Sequence, residues 1–142
     1  MATEPEMLKL AALDAEDLSV LSAHLQDAVA KVVDMAFLHK EKRFAMLVNR
    51  FDWAAAEGGR PMRRRAGVNF ARVLGAQTRG FALADRDTIL NLLAVDFDET
   101  DKPSGTVTLF FSGDAAIRLK VECLEAEISD LGPGSNPGPR PE

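Results

Sequence analysis

A cluster of arginines in the middle of the chain is the strongest chemical signal in this sequence. Guanidinium groups form paired hydrogen bonds with phosphate and carboxylate groups, so such a cluster is typical of an anion-binding site. The candidate residues are Arg63, Arg64, Arg65 and Arg72. On a strand, Arg63 and Arg65 project from one face, and Arg64 and Arg72 project from the other. The alternative is a charged edge strand, which protects a sheet against aggregation.

A short run of residues before this cluster is a second candidate, in this case for binding a protein. It contains Arg50, Phe51 and Trp53. Arginine and tryptophan are frequent anchors at protein interfaces. An exposed edge strand would add a pairing site for a protein partner, or for a second copy of the chain in a homodimer. We therefore predict a non-catalytic binding or protein-interaction module.

Residues suited to catalysis or to metal binding are sparse. His24, His39 and Cys123 lack the spacing of a zinc site. The acidic run at residues 96–101 lacks the glycine and the glutamate that a calcium loop requires. We expect no metal ion, no cofactor and no enzyme activity. The alternative of a small enzyme would require the fold to bring Asp52 together with a histidine and an arginine.

The distribution of charge bears on the choice of partner. The formal net charge is -5, but residues 31–80 contain eleven basic and four acidic residues. Proteins that bind nucleic acid usually combine a basic patch with a basic total. The negative total therefore disfavours nucleic acid, although phosphate or nucleic acid remains the alternative ligand of the arginine-rich strand. Pairing of basic and acidic strands across a sheet also accounts for the asymmetry.

Cysteine content and hydropathy indicate the compartment. Cys123 is the single cysteine, so an intrachain disulfide is excluded. The first residues lack the pattern of a secretory signal, and no apolar run has the length of a membrane span. We expect a cytoplasmic protein that does not enter a membrane.

One amphipathic helix is predicted near the N-terminus. Asp14 is a suitable capping residue for free amides of a first helical turn. Leu18, Leu21 and Leu25 then recur at helical spacing and form one apolar stripe. The helix should extend over residues 15–26.

After the helix, apolar residues alternate with polar ones, which is typical of β-strands. A hairpin is predicted from residues 29–38 and 44–53. Further strands are predicted at residues 7–10, 63–74 with pairing continued to 79, 89–98, 106–111 and 115–128. The apolar phase changes near Leu124, which predicts a bulge in the last strand. Residues 54–62 and 98–105 are predicted loops.

The predicted fold class is α+β and mostly antiparallel β. Six or seven strands form a curled sheet, as a barrel or a sandwich, with the one N-terminal helix covering an end or a face. One domain spans residues 1–131. Residues 132–142 contain four prolines and three glycines, and we predict a disordered tail there.

Several segments of the chain resemble a family of small bacterial proteins that is classed as a domain of unknown function. They are LKLAALDAEDL at residues 8–18, HLQDAV at 24–29, EKRF at 41–44, NRFDW at 49–53, ECLE at 122–125 and DLG at 130–132. The resemblance covers residues 7–132 and leaves out the end rich in proline and glycine. It implies a small, single-domain, cytoplasmic bacterial protein, and it carries no functional residue over to this chain.

Overall fold

The computed structural model describes residues 7–59 and 62–133. The helices are α1 (Ala15–Leu25) and the short α2 (Trp53–Glu57). The strands are β1 (Lys9–Ala12), β2 (Ala28–Leu38), β3 (Arg43–Phe51), β4 (Arg63–Phe70), β5 (Val73–Arg79), β6 (Ile89–Asp101), β7 (Ser104–Phe111), β8 (Ala116–Val121) and β9 (Ala126–Pro133). The nine strands described form one open antiparallel sheet in the order β1-β9-β4-β3-β2-β6-β7-β8-β5.

The mostly antiparallel sheet with an N-terminal helix is confirmed, but the predicted count of six or seven strands is wrong. Two predicted strands are each divided in the structure. Arg72, with a left-handed φ of 61°, separates β4 from β5, and residues 122–125 separate β8 from β9. The halves pair with different neighbours, since β4 lies between β3 and β9, whereas β5 pairs with β8. The phase change near Leu124 therefore marks a corner and not a bulge.

These two corners require the sheet to curl. Only Ala71 and Arg72 connect β4 to β5, although five strands lie between them in the sheet order. Six strand spacings in a flat sheet cover about 29 Å, whereas this connection spans at most about 11 Å. Backbone hydrogen bonds join the corners, with Ala71 N–H donating to Glu125 O at 2.9 Å and Glu122 N–H donating to Arg72 O at 2.9 Å. The sheet thus folds back and encloses the core.

Helix α1 covers the core-facing side of the sheet, as its apolar stripe predicts. Asp14 caps the helix by accepting a hydrogen bond from Asp17 N–H at 2.8 Å. Leu18, Leu21 and Leu25 are buried, and the helix packs against β1, β3, β6 and β9. Burial of each leucine contributes about 1.5–3 kcal/mol to stability.

The predicted hairpin of β2 and β3 is present, but β2 contains a large bulge. Register is lost between Ala30 and Met35 of β2, which lie opposite Val48 and Met46 of β3. Four β2 residues thus face a single β3 residue. At the start of this stretch β2 is still attached to β6, where Lys31 pairs with Ile89. The bulge separates β2 from β3 locally and opens the outer face of the sheet.

Several predicted boundaries differ from the structure, and β3 ends at Phe51 instead of reaching Trp53, which begins α2. The predicted loop at 98–105 shrinks to a turn at Lys102 and Pro103, because β6 and β7 pair almost to their ends. The predicted loop at 54–62 contains α2. Strand β9 extends through Gly132 and Pro133, which pair with β4, and the remainder of the predicted tail lies outside the described residues. In the described part of the chain, neither helix has the length and apolar character needed to cross a membrane.

Candidate functional site

Strand alternation divides the predicted site residues between two faces of the sheet. In the register of β3 and β4, Arg50 lies opposite Arg64, and Phe51 lies opposite Arg63. Arg50 and Arg64 point into the protein and are buried. Phe51, Arg63 and Arg65 belong to the outer face, in agreement with the pleat of a strand.

Arg50 forms a buried ion pair and is not a surface anchor, which corrects the interface patch predicted from the sequence. Its Nε donates to Asp130 Oδ1 at 2.8 Å, and its Nη2 donates to Asp130 Oδ2 at 2.7 Å. The two side chains are 3% and 0% exposed. Asp130 Oδ2 also accepts a hydrogen bond from Leu8 N–H at 2.8 Å. The pair thus ties β3 to β9 and to the chain just before β1.

Arg64 forms a second buried pair and is likewise unavailable to an external anion. Its Nε lies 3.0 Å from Asp52 Oδ2, and the side chains are 6% and 10% exposed. Buried charges are tolerated when they are paired and hydrogen-bonded. The two pairs therefore hold the adjoining ends of β3, β4 and β9 together.

His24 lies near these pairs at the C-terminal end of α1. Burial lowers the pKa of His24, and the positive charge of Arg50 lowers it further, while Asp130 and Asp52 act in the opposite direction. The fold thus places a histidine, Asp52 and an arginine in one region, which is the combination that an enzyme would require. Both carboxylates already accept hydrogen bonds from guanidinium groups, so the arrangement favours a structural role.

A groove of about 290 Å³ opens on the outer face beside the bulge of β2. We call it the basic groove. It is lined by three cations, Lys31, Arg63 and Arg65, and by Asp34 and Asn49. Its apolar lining residues are Val29, Leu47, Val48 and Ile89. Cations thus outnumber acids by three to one among the described lining residues. The groove therefore combines positive charge with an apolar wall.

Arg63 is held in place at the rim of the basic groove. Its Nη1 donates to Asn49 O at 3.0 Å and to Asp27 O at 3.5 Å. Its guanidinium carbon lies 5.8 Å from the centre of the Phe51 ring, within range of a cation–π interaction. These contacts fix the guanidinium before any ligand binds.

The two aromatic residues of the predicted interface patch continue this surface. The rings of Phe51 and Trp53 meet edge to face, with centroids 4.6 Å apart. Trp53 is 37% exposed, and its Nε1 donates to Gln26 O at 3.3 Å. Arg63, Phe51 and Trp53 are therefore linked by ring contacts at the rim of the basic groove.

Arg72 lies apart from the basic groove, at the corner between β4 and β5. Its Nε is 3.7 Å from Glu125 Oε1, and both side chains are about half exposed. Of the four predicted anion-binding arginines, only Arg63 and Arg65 line the groove described here. Lys31 was missed by the sequence analysis, because the alternation of β2 gives no sign of the bulge that contains Lys31 and borders the groove.

No group of three or more histidine, cysteine, aspartate or glutamate side chains is placed to hold a metal ion within residues 7–59 and 62–133. Cys123 is a free, partly buried thiol.

Comparison with known proteins identifies a family. Searches of curated proteins and of solved structures found no match. A family profile described as "Protein of unknown function (DUF2948)" matches residues 8–142. The match includes the C-terminal segment rich in proline and glycine, beyond the resemblance noted at residues 7–132. Because it covers almost the whole sequence, the chain belongs to the DUF2948 family of proteins of unknown function.

Proposed function

We propose that this protein is a non-catalytic binding module whose basic groove takes an acidic, partly apolar segment of a protein partner. The observation that carries the proposal is the meeting of three cations and an apolar wall in one groove. Carboxylates of the partner would pair with the guanidinium groups, and its apolar side chains would cover Val29, Leu47 and Ile89.

In the part of the chain that the structure describes, the lack of ion pairs at the three cations of the basic groove supports an external acidic partner. Among the described residues, none of Lys31, Arg63 and Arg65 has a carboxylate within ion-pair distance. Arg63 is already held by two carbonyl groups and an aromatic ring, so less conformational entropy is lost on binding. Nucleic acid is a weaker fit because the whole chain carries a charge of -5.

The setting that we propose is the bacterial cytoplasm. The single cysteine suits a reducing compartment, and the sequence resembles small bacterial proteins. We propose a partner of a different sequence for the basic groove, with homodimer formation as the competing arrangement.

Intrinsic fluorescence tests the proposal directly. Trp53 is the only tryptophan and the chain has no tyrosine, so the emission reports on the rim of the basic groove. A short peptide of leucine and glutamate should change the emission in a saturable way, with affinity that falls as salt is added. Arg63→Ala and Arg65→Ala should each weaken binding about tenfold, the effect expected for a lost charge-assisted hydrogen bond.

Arg72→Ala is the matched control, because Arg72 is an exposed arginine outside the basic groove. It should leave the affinity unchanged. Inorganic phosphate serves as a second ligand, and saturation by phosphate with no response to the peptide would indicate a small-anion site instead. Equal affinity of the Arg63→Ala variant and the wild type would contradict both a peptide site and a small-anion site in the basic groove.

A further inference from the structure

The two edges of the sheet differ in how well they are protected against pairing. Strand β1 has four residues, and β5 has seven. Among the described strands, β5 pairs with β8 alone. Natural edge strands are usually protected by short length, lysine, proline or bulges. In β5, the bulge is confined to the start near Leu74, where Val73 N–H also donates to Lys42 O at 2.8 Å, and the charge is confined to the end at Arg79. Residues 75–78 are neutral and have β8 as their one strand neighbour among the described strands.

Two grooves lie side by side on the outer face next to this edge. The larger, of about 420 Å³, is lined by residues 74–77 of β5, with Arg118 and Lys120 of β8 among its other lining residues. The smaller, of about 240 Å³, is lined by residues 77–79, with Phe110 and Arg118 among its others. Gln77 pairs with Arg118 of β8, and these two residues line both grooves. We call such a pair of neighbours across β5 and β8 a row.

The spacing of the grooves matches an added strand. The rows that flank Gln77 are Gly75 with Lys120 and Arg79 with Ala116, each two residues away along β5. Side chains on one face of a strand are about 7 Å apart, which is this same two-residue repeat. A strand added to the free side of β5 would therefore run beside the two grooves, and its alternate side chains would have the same spacing as the rows that line them, as in peptide recognition by strand addition.

The charge around the grooves selects the kind of segment. Arg79, Arg118 and Lys120 line them together with neutral residues, and no acid is among the described lining residues. None of the three cations forms an ion pair within the described part of the chain. Asp96 and Asp98 belong to β6, on the far side of β7 from these cations. A second copy of the chain would bring its own cations to the same place.

We infer that the free edge of β5 accepts an extended acidic segment of another protein as an additional strand. Main-chain groups of residues 75–78 would pair with the segment, and Arg118 would bind an acidic side chain at the boundary of the two grooves. This site is separate from the basic groove, and neither requires the other.

A labelled synthetic peptide of about ten residues, in which glutamate alternates with valine, tests the inference by fluorescence anisotropy. Arg118→Ala should weaken binding about tenfold. Arg43→Ala, which removes an exposed arginine from β3, and Arg63→Ala, which alters the basic groove, should have no effect. Loss of binding in Arg63→Ala with full binding in Arg118→Ala would assign the peptide to the basic groove and overturn the inference, as would equal binding of a lysine-valine peptide.

Hydrogen exchange on the unaltered protein shows whether main-chain pairing occurs. With free peptide at about ten times its dissociation constant, alternate amides of residues 74–79 should exchange about tenfold more slowly. Unchanged exchange would contradict strand addition.

Proline substitution supplies an independent check. Adjacent residues of a strand direct their N–H groups to opposite sides of the strand. Of the two variants Gln77→Pro and Thr78→Pro, one therefore loses a backbone hydrogen bond to β8, and the other loses an N–H donor on the free edge. The variant with the smaller loss of stability should lose peptide binding, and its full binding would overturn the inference. A light-scattering mass of a dimer that falls to a monomer in that variant would show that a second copy occupies the edge instead.

Discussion

Arginines that are neighbours in this sequence have different roles because successive side chains of a strand point to opposite faces. Arg64 is paired inside the protein with Asp52, whereas Arg63 and Arg65 line the basic groove outside. The same alternation places Arg50 inside and Phe51 outside. The sequence predicts this division of faces for Arg63, Arg64 and Arg65, but it gives no indication of which face is buried.

Removal of Arg50 should be far more damaging than removal of an outer arginine. Arg50→Ala leaves the Asp130 carboxylate buried without its guanidinium partner, and breaking such a pair costs about 3–5 kcal/mol. Arg65→Ala, at an exposed position, should change the free energy of unfolding by about 0.5 kcal/mol or less. Urea denaturation measures both. Replacement of both partners, Arg50→Met with Asp130→Leu, should recover part of the loss, with the remainder due to the Leu8 N–H that also loses its acceptor. A double variant as unstable as Arg50→Ala would contradict this account.

His24 should make the protein less stable in weak acid. Burial and Arg50 lower its pKa below the ordinary value of 6.5, so the unfolded chain takes up a proton at a pH where the folded protein does not. Its contribution is therefore complete above pH 6.5 and is lost as the pH falls through the lower folded pKa. As the pH falls from neutral to weakly acidic, the urea midpoint of the wild type should fall relative to that of His24→Gln. A constant difference would contradict this role of His24.

At the scale of elements, the sequence predicts the helix and strands that have a periodic apolar pattern, but it does not predict the corners and the bulge, which have none. The leucine stripe and the cap at Asp14 locate α1 to within one residue, and strict alternation locates the β2–β3 hairpin. The division of two predicted strands was missed because side chains keep alternating close to both corners, while the change of partner depends on distant strands. The bulge of β2 was missed for the same reason, and with it the place of Lys31 in the basic groove.

The turn between β6 and β7 depends on close backbone packing at Gly105. A Cβ on Gly105 would lie 2.5 Å from Asp98 O and 2.7 Å from the Phe97 ring. Gly105→Ala should therefore lower the free energy of unfolding by about 1–3 kcal/mol. Gly75→Ala is the matched control, since nothing lies within 4 Å of its added Cβ, and it should have little effect. Equal urea midpoints for the two variants would contradict the close packing at this turn.

At the scale of the whole molecule, the curled sheet separates the interior ion pairs from the two outer surfaces that we propose for binding. The interior pairs hold the ends of β3, β4 and β9. The basic groove lies on the outer side of β3 and β4, where residues of β2 and β6 complete its lining. The groove carries net positive charge although the chain as a whole carries -5. This separation explains how an acidic protein presents a local surface suited to an acidic partner.

Nuclear magnetic resonance mapping of amide shifts tests the central claim, that the basic groove is the binding surface, most directly. On addition of the leucine-glutamate peptide, the account predicts the largest shift changes at residues 29–31, 47–49 and 63–65 and at the side chain of Trp53. The changes should shrink in Arg63→Ala and persist in Arg72→Ala. Absence of shift changes at saturating peptide, or changes confined to strands outside β2, β3 and β4, would contradict it.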